Sequence, residues 1–160
     1  MRQPSIHWRV LKAFALCAGT QKWGRPELQV IEIRRHGDGW ALAATSGHVA
    51  LVGHVADPEP WDGEDDAVYY VSAHIALMSA RTRGELPVTF AEPPSPMPFP
   101  NVSAVCVMDP SPPVSPCRVG FAAPMLALPA AIGTALGLRK SAIWDITIGS
   151  PLGPTVWKPK

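Results

Sequence analysis

Proline constrains this chain more than any other residue, because it occupies 19 of 160 positions. Each proline fixes φ and removes a backbone donor, so neither a helix interior nor a central strand runs comfortably through a cluster of them. Two stretches, "AEPPSPMPFP" (91–100) and "DPSPPVSPC" (109–117), therefore read as stiff, extended connectors. A third, "ADPEPWDGEDD" (56–66), is acidic and broken by Pro and Gly. The expected division is a unit over 1–90, a proline-rich connector with one strand over 91–116, and a closing unit over 117–160.

Within these limits, hydrophobic spacing assigns the elements. Val10, Phe14 and Cys17, with Leu11 and Ala18 beside them, repeat at helical intervals, so 5–18 reads as an amphipathic helix with Ser5 as N-cap and Gly19 as its end. "LQVIEIRR", "GWALAATS" and "HVALVGHVA" alternate as strands do, and "HGDG" between the first two supplies residues that tolerate a hairpin turn. "VYYVS", helix-like "AHIALMSAR", "LPVTF" and "VSAVCVM" follow. The last segment repeats the plan: "CRVGF", the helix "APMLALPAAIGTAL", then "WDITIGS" and "PTVWKP". Pro124 suits a first turn, whereas Pro129 predicts a kink or a late start. The fold class is α+β with antiparallel sheets.

Composition excludes several functions. A chain that is 47% hydrophobic can bury one sizeable core or two small ones that share an interface. A net charge of +1 gives no overall pull toward nucleic acid or membrane, so any such attraction must come from local clustering. Cys17, Cys106 and Cys117 are odd in number, without CxxC spacing, and read as reduced thiols. Arg9 and Lys12 interrupt the first apolar run, so it does not read as an export signal, and no run approaches the ~20 apolar residues of a membrane span. The expected location is the cytoplasm. His7, His36, His48, His54 and His74 show no metal-binding spacing, and neither metal nor cofactor is expected. No nucleophile motif, phosphate loop or apolar carboxylate pair points to an enzyme. "WDGEDD" reads as a solvated acidic loop.

Four motifs then converge. "RPELQVIEI" from Arg25, "WALAATSGHVAL" from Trp40, "FPNVSAVCV" from Phe99 and "PLGPTVWKP" from Pro151 resemble, in order, motifs of the bacterial DNA polymerase III β subunit family, the sliding clamps. The likeness spans nearly the whole chain but matches about one and a half of the family's three domains, as in a shortened, phage-like form. It implies a clamp-like fold of repeated strand-helix-strands units. It also implies a peptide cleft at Arg25, Leu28, Thr45, Gly47, His48, Ala50, Pro100, Val105, Val156 and Lys158. Ala50 and Lys158 stand where the family has larger apolar residues, so the cleft is expected to be shallow and basic. Ser46 and Val49 replace the family's usual Asp and Arg, and Ser103 and Ala104 fall in a usually basic stretch. Taken without the resemblance, Gly47 serves a tight turn and His48 is a half-buried histidine.

The resemblance further implies nonspecific contact with duplex DNA through helix-borne cations. The candidates are Arg9 and Lys12, Arg81 and Arg83, and Arg139 and Lys140; for each, a solvated helix face is the plain alternative. The expected function is that of a non-enzymatic replication or repair accessory protein that binds DNA, linear clamp-binding peptides, or both. Edge-strand pairing into an oligomer is expected with it. The alternatives are a non-ring mimic that sequesters the partners of a host clamp and, from another class, a small enzyme.

Overall fold

The computed structural model describes residues 4, 6–19, 25–57, 61, 67–79, 90–91, 98–102, 123–139, 144–148 and 155–159. They form a mixed α+β fold. Strands β1 (Val30–His36), β2 (Gly39–Thr45), β3 (Ala50–Ala56), β4 (Val68–Ser72) and β5 (Phe90–Ala91) make an antiparallel sheet in the order β3-β2-β1-β4-β5. Strands β6 (Trp144–Ile148) and β7 (Thr155–Pro159) pair antiparallel in a separate two-stranded sheet.

The two-residue turn between β1 and β2 fulfils the expectation from "HGDG". His36 pairs with Gly39, and Gly37 adopts φ +57°, a conformation that other residues adopt at a cost. Period-2 alternation then sorts the side chains. Ile31, Ile33, Trp40, Leu42, Ala44 and Val71 enter the main core, whereas Val30, Glu32, Ala43, Thr45 and Tyr70 take the intervening positions on the other face. Burying each large side chain in the core contributes about 1.5–3 kcal/mol.

Three helices cover the core face. Helix α1 (Trp8–Ala15) buries Leu11, Ala13, Phe14 and Ala15 and packs against β1 and β2. Helices α2 (Ala73–Ser79) and α3 (Ala123–Leu136) pack against α1. Phe14 also fixes the position of β3, because its Cζ lies 3.1 Å from where a Cβ on Gly53 would stand. A side chain at 53 would crowd the ring.

Helix α1 is shorter than its spacing predicts. Its cap is His7, whose Nδ1 accepts the Arg9 N–H at 3.2 Å, and Ser5 lies outside the described residues. The helix ends at Ala15 rather than at Gly19. Gly19 instead allows the chain to pass close to Leu28: its N–H donates to the Leu28 carbonyl at 2.7 Å, and a Cβ there would sit 2.9 Å from the Leu28 Cβ. Helix α3 starts at Ala123, so Pro129 does not delay it and is carried inside. The lost bond to the Met125 carbonyl is tolerated because Ile132 and Ala135 anchor the following turns in the core. Val102, expected to begin a strand, is helical.

At the hairpin end of the sheet, Trp40 and Trp61 meet edge to face, their ring centres 4.8 Å apart, and the Arg35 guanidinium carbon lies 5.3 and 5.8 Å from those centres. Asp57 Oδ2 accepts the Trp40 indole N–H at 3.0 Å and lies 3.5 Å from Arg35 Nη1. That nitrogen is buried and makes no hydrogen bond of good geometry. Ion attraction and the neighbouring rings therefore hold a charge whose loss of partner would cost about 3–5 kcal/mol.

Candidate peptide-binding face

The face of the sheet away from the helices is partly covered by a distant piece of chain. Phe99 and Val102 pack on Val30 and Ala43, joined by Tyr70, whose ring centre is 6.5 Å from that of Phe99. Pro100 is half-buried beside them, and its carbonyl accepts the Val102 N–H at 2.7 Å. Tyr70 reaches Glu32 Oε2 at 3.4 Å. Burial, then the charge of Glu32, pushes the Tyr70 hydroxyl above its ordinary value.

The end of this face is built from two turns. A short 3-10 helix, Pro26–Leu28, leads into β1, with Leu28 and Glu27 buried. Arg25 Nε donates to Glu27 Oε1 at 2.9 Å while its own side chain is 55% exposed. A backbone hydrogen bond holds the Glu27 carboxyl below the ordinary value; burial opposes this, and Arg25 adds to it.

The turn between β2 and β3 is closed by hydroxyls. Thr45, buried, donates from Oγ1 to the Val49 carbonyl at 2.9 Å and accepts the Gly47 N–H at 3.0 Å. Ser46 Oγ accepts from the His48 and Val49 N–H groups at 3.4 and 3.3 Å. A serine thus caps the turn where the resembled family has Asp. Gly47 adopts φ +86°, and Leu28 Cδ1 lies 3.6 Å from its Cβ position.

Of the predicted cleft residues, Arg25, Leu28, Thr45, Gly47, His48 and Ala50 gather at this end, with Pro100 on the cover of the same face. Val105 lies outside the described residues. Val156 and Lys158 occupy alternate positions of β7, opposite Thr147 and Asp145 of β6. Gly47 is explained by its backbone angle, since the space beside it admits a Cβ at ordinary contact distance.

Of the predicted DNA-contacting residues, Arg9 is exposed on α1 and Lys12, one turn on, is half-buried. Helix α3 ends in a Schellman motif: Leu138 N–H bonds the Gly133 carbonyl at 2.9 Å and Gly137 N–H that of Thr134 at 3.1 Å. Arg9 Nη1 would stand 3.2 Å from a Cβ on Gly137, so Arg9 reaches the carbonyl end of α3, and exposed Arg139 follows that end two residues after Gly137. There they complement the helix dipole. Arg81, Arg83 and Lys140 lie outside the described residues.

The net charge of the whole chain hides an uneven distribution along the sequence. None of the 13 Asp and Glu falls in 1–26, 67–84 or 110–144, the stretches that contain α1, α2 and α3. Ten of the 14 Lys and Arg do. Helix α2 exposes Ile75, Leu77 and Met78, α3 exposes Leu126, and Leu138 is exposed just beyond it. Among the described residues, no group of three His, Cys, Asp or Glu is placed to hold a metal ion, and no helix is long and apolar enough to cross a membrane. In comparisons with known proteins, no family model matches the chain, and no curated protein matches it either.

Proposed function

We propose that the chain is a non-catalytic, sliding-clamp-like accessory protein of DNA replication or repair that docks linear peptides on the sheet face opposite its helices. The observation that carries this reading is that the turn at Leu28 lies against the turn at Gly47, while distant Phe99 and Val102 pack on Val30 and Ala43 of the two strands that adjoin those turns. An apolar site flanked by a turn with exposed backbone suits an extended ligand. The carboxylate-free helical stretches support the second half of the function, contact with the phosphate backbone of duplex DNA.

Titration of a fluorescent clamp-binding peptide tests the docking site. Wild type binds in the micromolar range, as a few buried side chains and the cost of ordering them imply. Gly47→Arg and Ala50→Glu both lose binding while circular dichroism shows them folded. Equal binding by all three proteins would remove the cleft.

A specific observation favours one other reading. Ile75, Leu77, Met78 and Leu126 offer nothing to phosphates, and their exposure suits a mimic that keeps the peptide cleft and sequesters clamp partners without encircling DNA. Light scattering separates the two: a ring requires self-association at tens of micromolar, whereas the mimic stays monomeric.

A further inference from the structure

Helix α3 carries no charged residue in any of its 14 positions. Ile132 and Ala135 anchor one side of it in the core. On the other side Leu126, Ala127, Ala130, Ala131 and Thr134 are exposed, and at 100° per residue they fall within about 140° of the helix circumference. Leu126 is 50% exposed, and Leu138, just past the end, is 38% exposed. The hydroxyl on this stripe is engaged inside the helix, because Thr134 Oγ1 donates to the Ala130 carbonyl at 2.8 Å. Water therefore meets no charge along the stripe and no side-chain donor that is not already used. A helix that is apolar all round is normally covered on all sides.

We propose that this stripe lies on an anionic lipid bilayer, with Leu126 and Leu138 entering the acyl boundary and Arg9 and Arg139 meeting lipid phosphates. Charge complementarity selects that occupant. Arg9 Nη1 reaches Gly137, and the Arg9 guanidinium carbon is 5.5 Å from the Trp8 ring centre, so a cation and a half-buried aromatic ring stand at the end of the stripe, next to Leu138. Arg139 is exposed one residue further on. No Asp or Glu occurs in 1–26 or 110–144, so neither stretch holds a carboxylate that would repel anionic headgroups. Cations beside an apolar helix face, with tryptophan at the junction, are what an interfacial helix needs.

Dimensions decide how the helix sits and what else could cover it. Its 14 residues rise about 21 Å, short of the ~30 Å hydrocarbon core, so α3 lies on a bilayer and does not cross it. A second copy of the chain fits poorly. A face no wider than one helix, about 10–12 Å, falls well below the ~800 Å² per partner of a stable interface, and a symmetric pair would bring no carboxylate to the cations. Duplex DNA answers the cations but leaves Leu126 and Leu138 in water. The inference concerns the helical side of the fold, goes beyond the docking of peptides and does not rest on it.

Cosedimentation of the full chain with vesicles of phosphatidylcholine, with and without phosphatidylglycerol, tests this. Wild type sediments with the mixed vesicles and stays in solution with the neutral ones. Leu126→Gln and Ala130→Glu, both at exposed helix positions, keep the circular dichroism of wild type and bind about tenfold more weakly or worse. Arg139→Gln weakens binding by about fivefold, and added salt weakens wild type in the same sense. Gly47→Arg sediments as wild type does, which separates this face from the peptide cleft. The inference is overturned if wild type binds both kinds of vesicle alike or neither, or if Ala130→Glu binds the mixed vesicles unchanged. It is also overturned if light scattering without vesicles shows a dimer that Ala130→Glu dissolves, because a second copy then covers the stripe. Equal loss of duplex DNA binding and vesicle binding in Leu126→Gln would assign the face to nucleic acid instead.

Discussion

Leu28 Cδ1 lies 3.6 Å from the point where a side chain on Gly47 would begin, although the two residues belong to different turns that enter and leave the same sheet. The leucine is buried beneath the turn, whereas Gly47 itself, at positive φ, is exposed.

Gly47→Ala should therefore destabilise the protein by about 1–2 kcal/mol through its backbone angle alone, because the contact distance adds no clash. Gly47→Asn should cost less, since Asn adopts left-handed angles more readily. Urea denaturation of the three proteins checks this, and an alanine variant as stable as wild type would contradict the left-handed turn.

Thr45→Val keeps the shape of the side chain and removes its hydroxyl. The Gly47 N–H loses its partner and the Val49 carbonyl keeps only the Ser46 N–H at 3.0 Å, for a cost of about 1 kcal/mol. The same variant should bind the fluorescent peptide more weakly than wild type, since the turn is no longer held in one conformation.

Replacing Arg9, Lys12, Arg139 and Lys140 together with Ala should flatten the salt dependence of DNA binding, by about 0.9 in the logarithmic slope for each phosphate contact removed. Arg34→Ala, on the opposite face, should leave the slope unchanged. An unaltered slope in the quadruple variant would mean that these cations do not face DNA.

Two groups tie stability to pH, with opposite signs. Glu27 is held below its ordinary value of 4.5, so it contributes stability above that value that is lost as pH falls through its folded value. Tyr70 is raised above 10.0, so its contribution is intact below pH 10 and is lost as pH climbs beyond it. Urea midpoints of Glu27→Gln should converge on those of wild type in acid, and those of Tyr70→Phe should exceed wild type at the alkaline end.

Burial pushes the Cys17 thiol up to about 12. In a Cys106→Ser/Cys117→Ser background, Cys17 should react with a disulfide reagent at pH 8 only as fast as the protein opens, and urea should accelerate the reaction steeply.

Much of this architecture was legible in the residues. Alternation in "VIEIRRH" and "GWALAAT" gave β1 and β2 their inner and outer faces, and Gly37 marked the turn between them, because period 2 and positive φ are local properties. The resemblance grouped Leu28 with Thr45–His48, as the fold does. Ends of elements were less legible. Ser5 looked like a cap, but the helix begins after His7, and Gly19 answers to a passing strand of chain rather than to a helix end. The exposed Val52 had no signal at all, since "ALVGHVA" does not say which face a distant Phe99 will cover.

Strand β3 hydrogen-bonds to β2 on one side and touches the helices through Phe14 at Gly53. Its amides should accordingly split into two classes in hydrogen exchange: those bonded to β2 protected, and their alternate neighbours exchanging close to the rate of open chain. Opening β3 exposes less apolar surface than opening β1 or β2, so the protected amides of β3 should be the first of this sheet's inner ladders to become labelled. The rim of the proposed site is then also the most readily detached strand of its scaffold, and a ligand that adds bonds along it would be seen first as slower labelling there, before any change in the global unfolding midpoint.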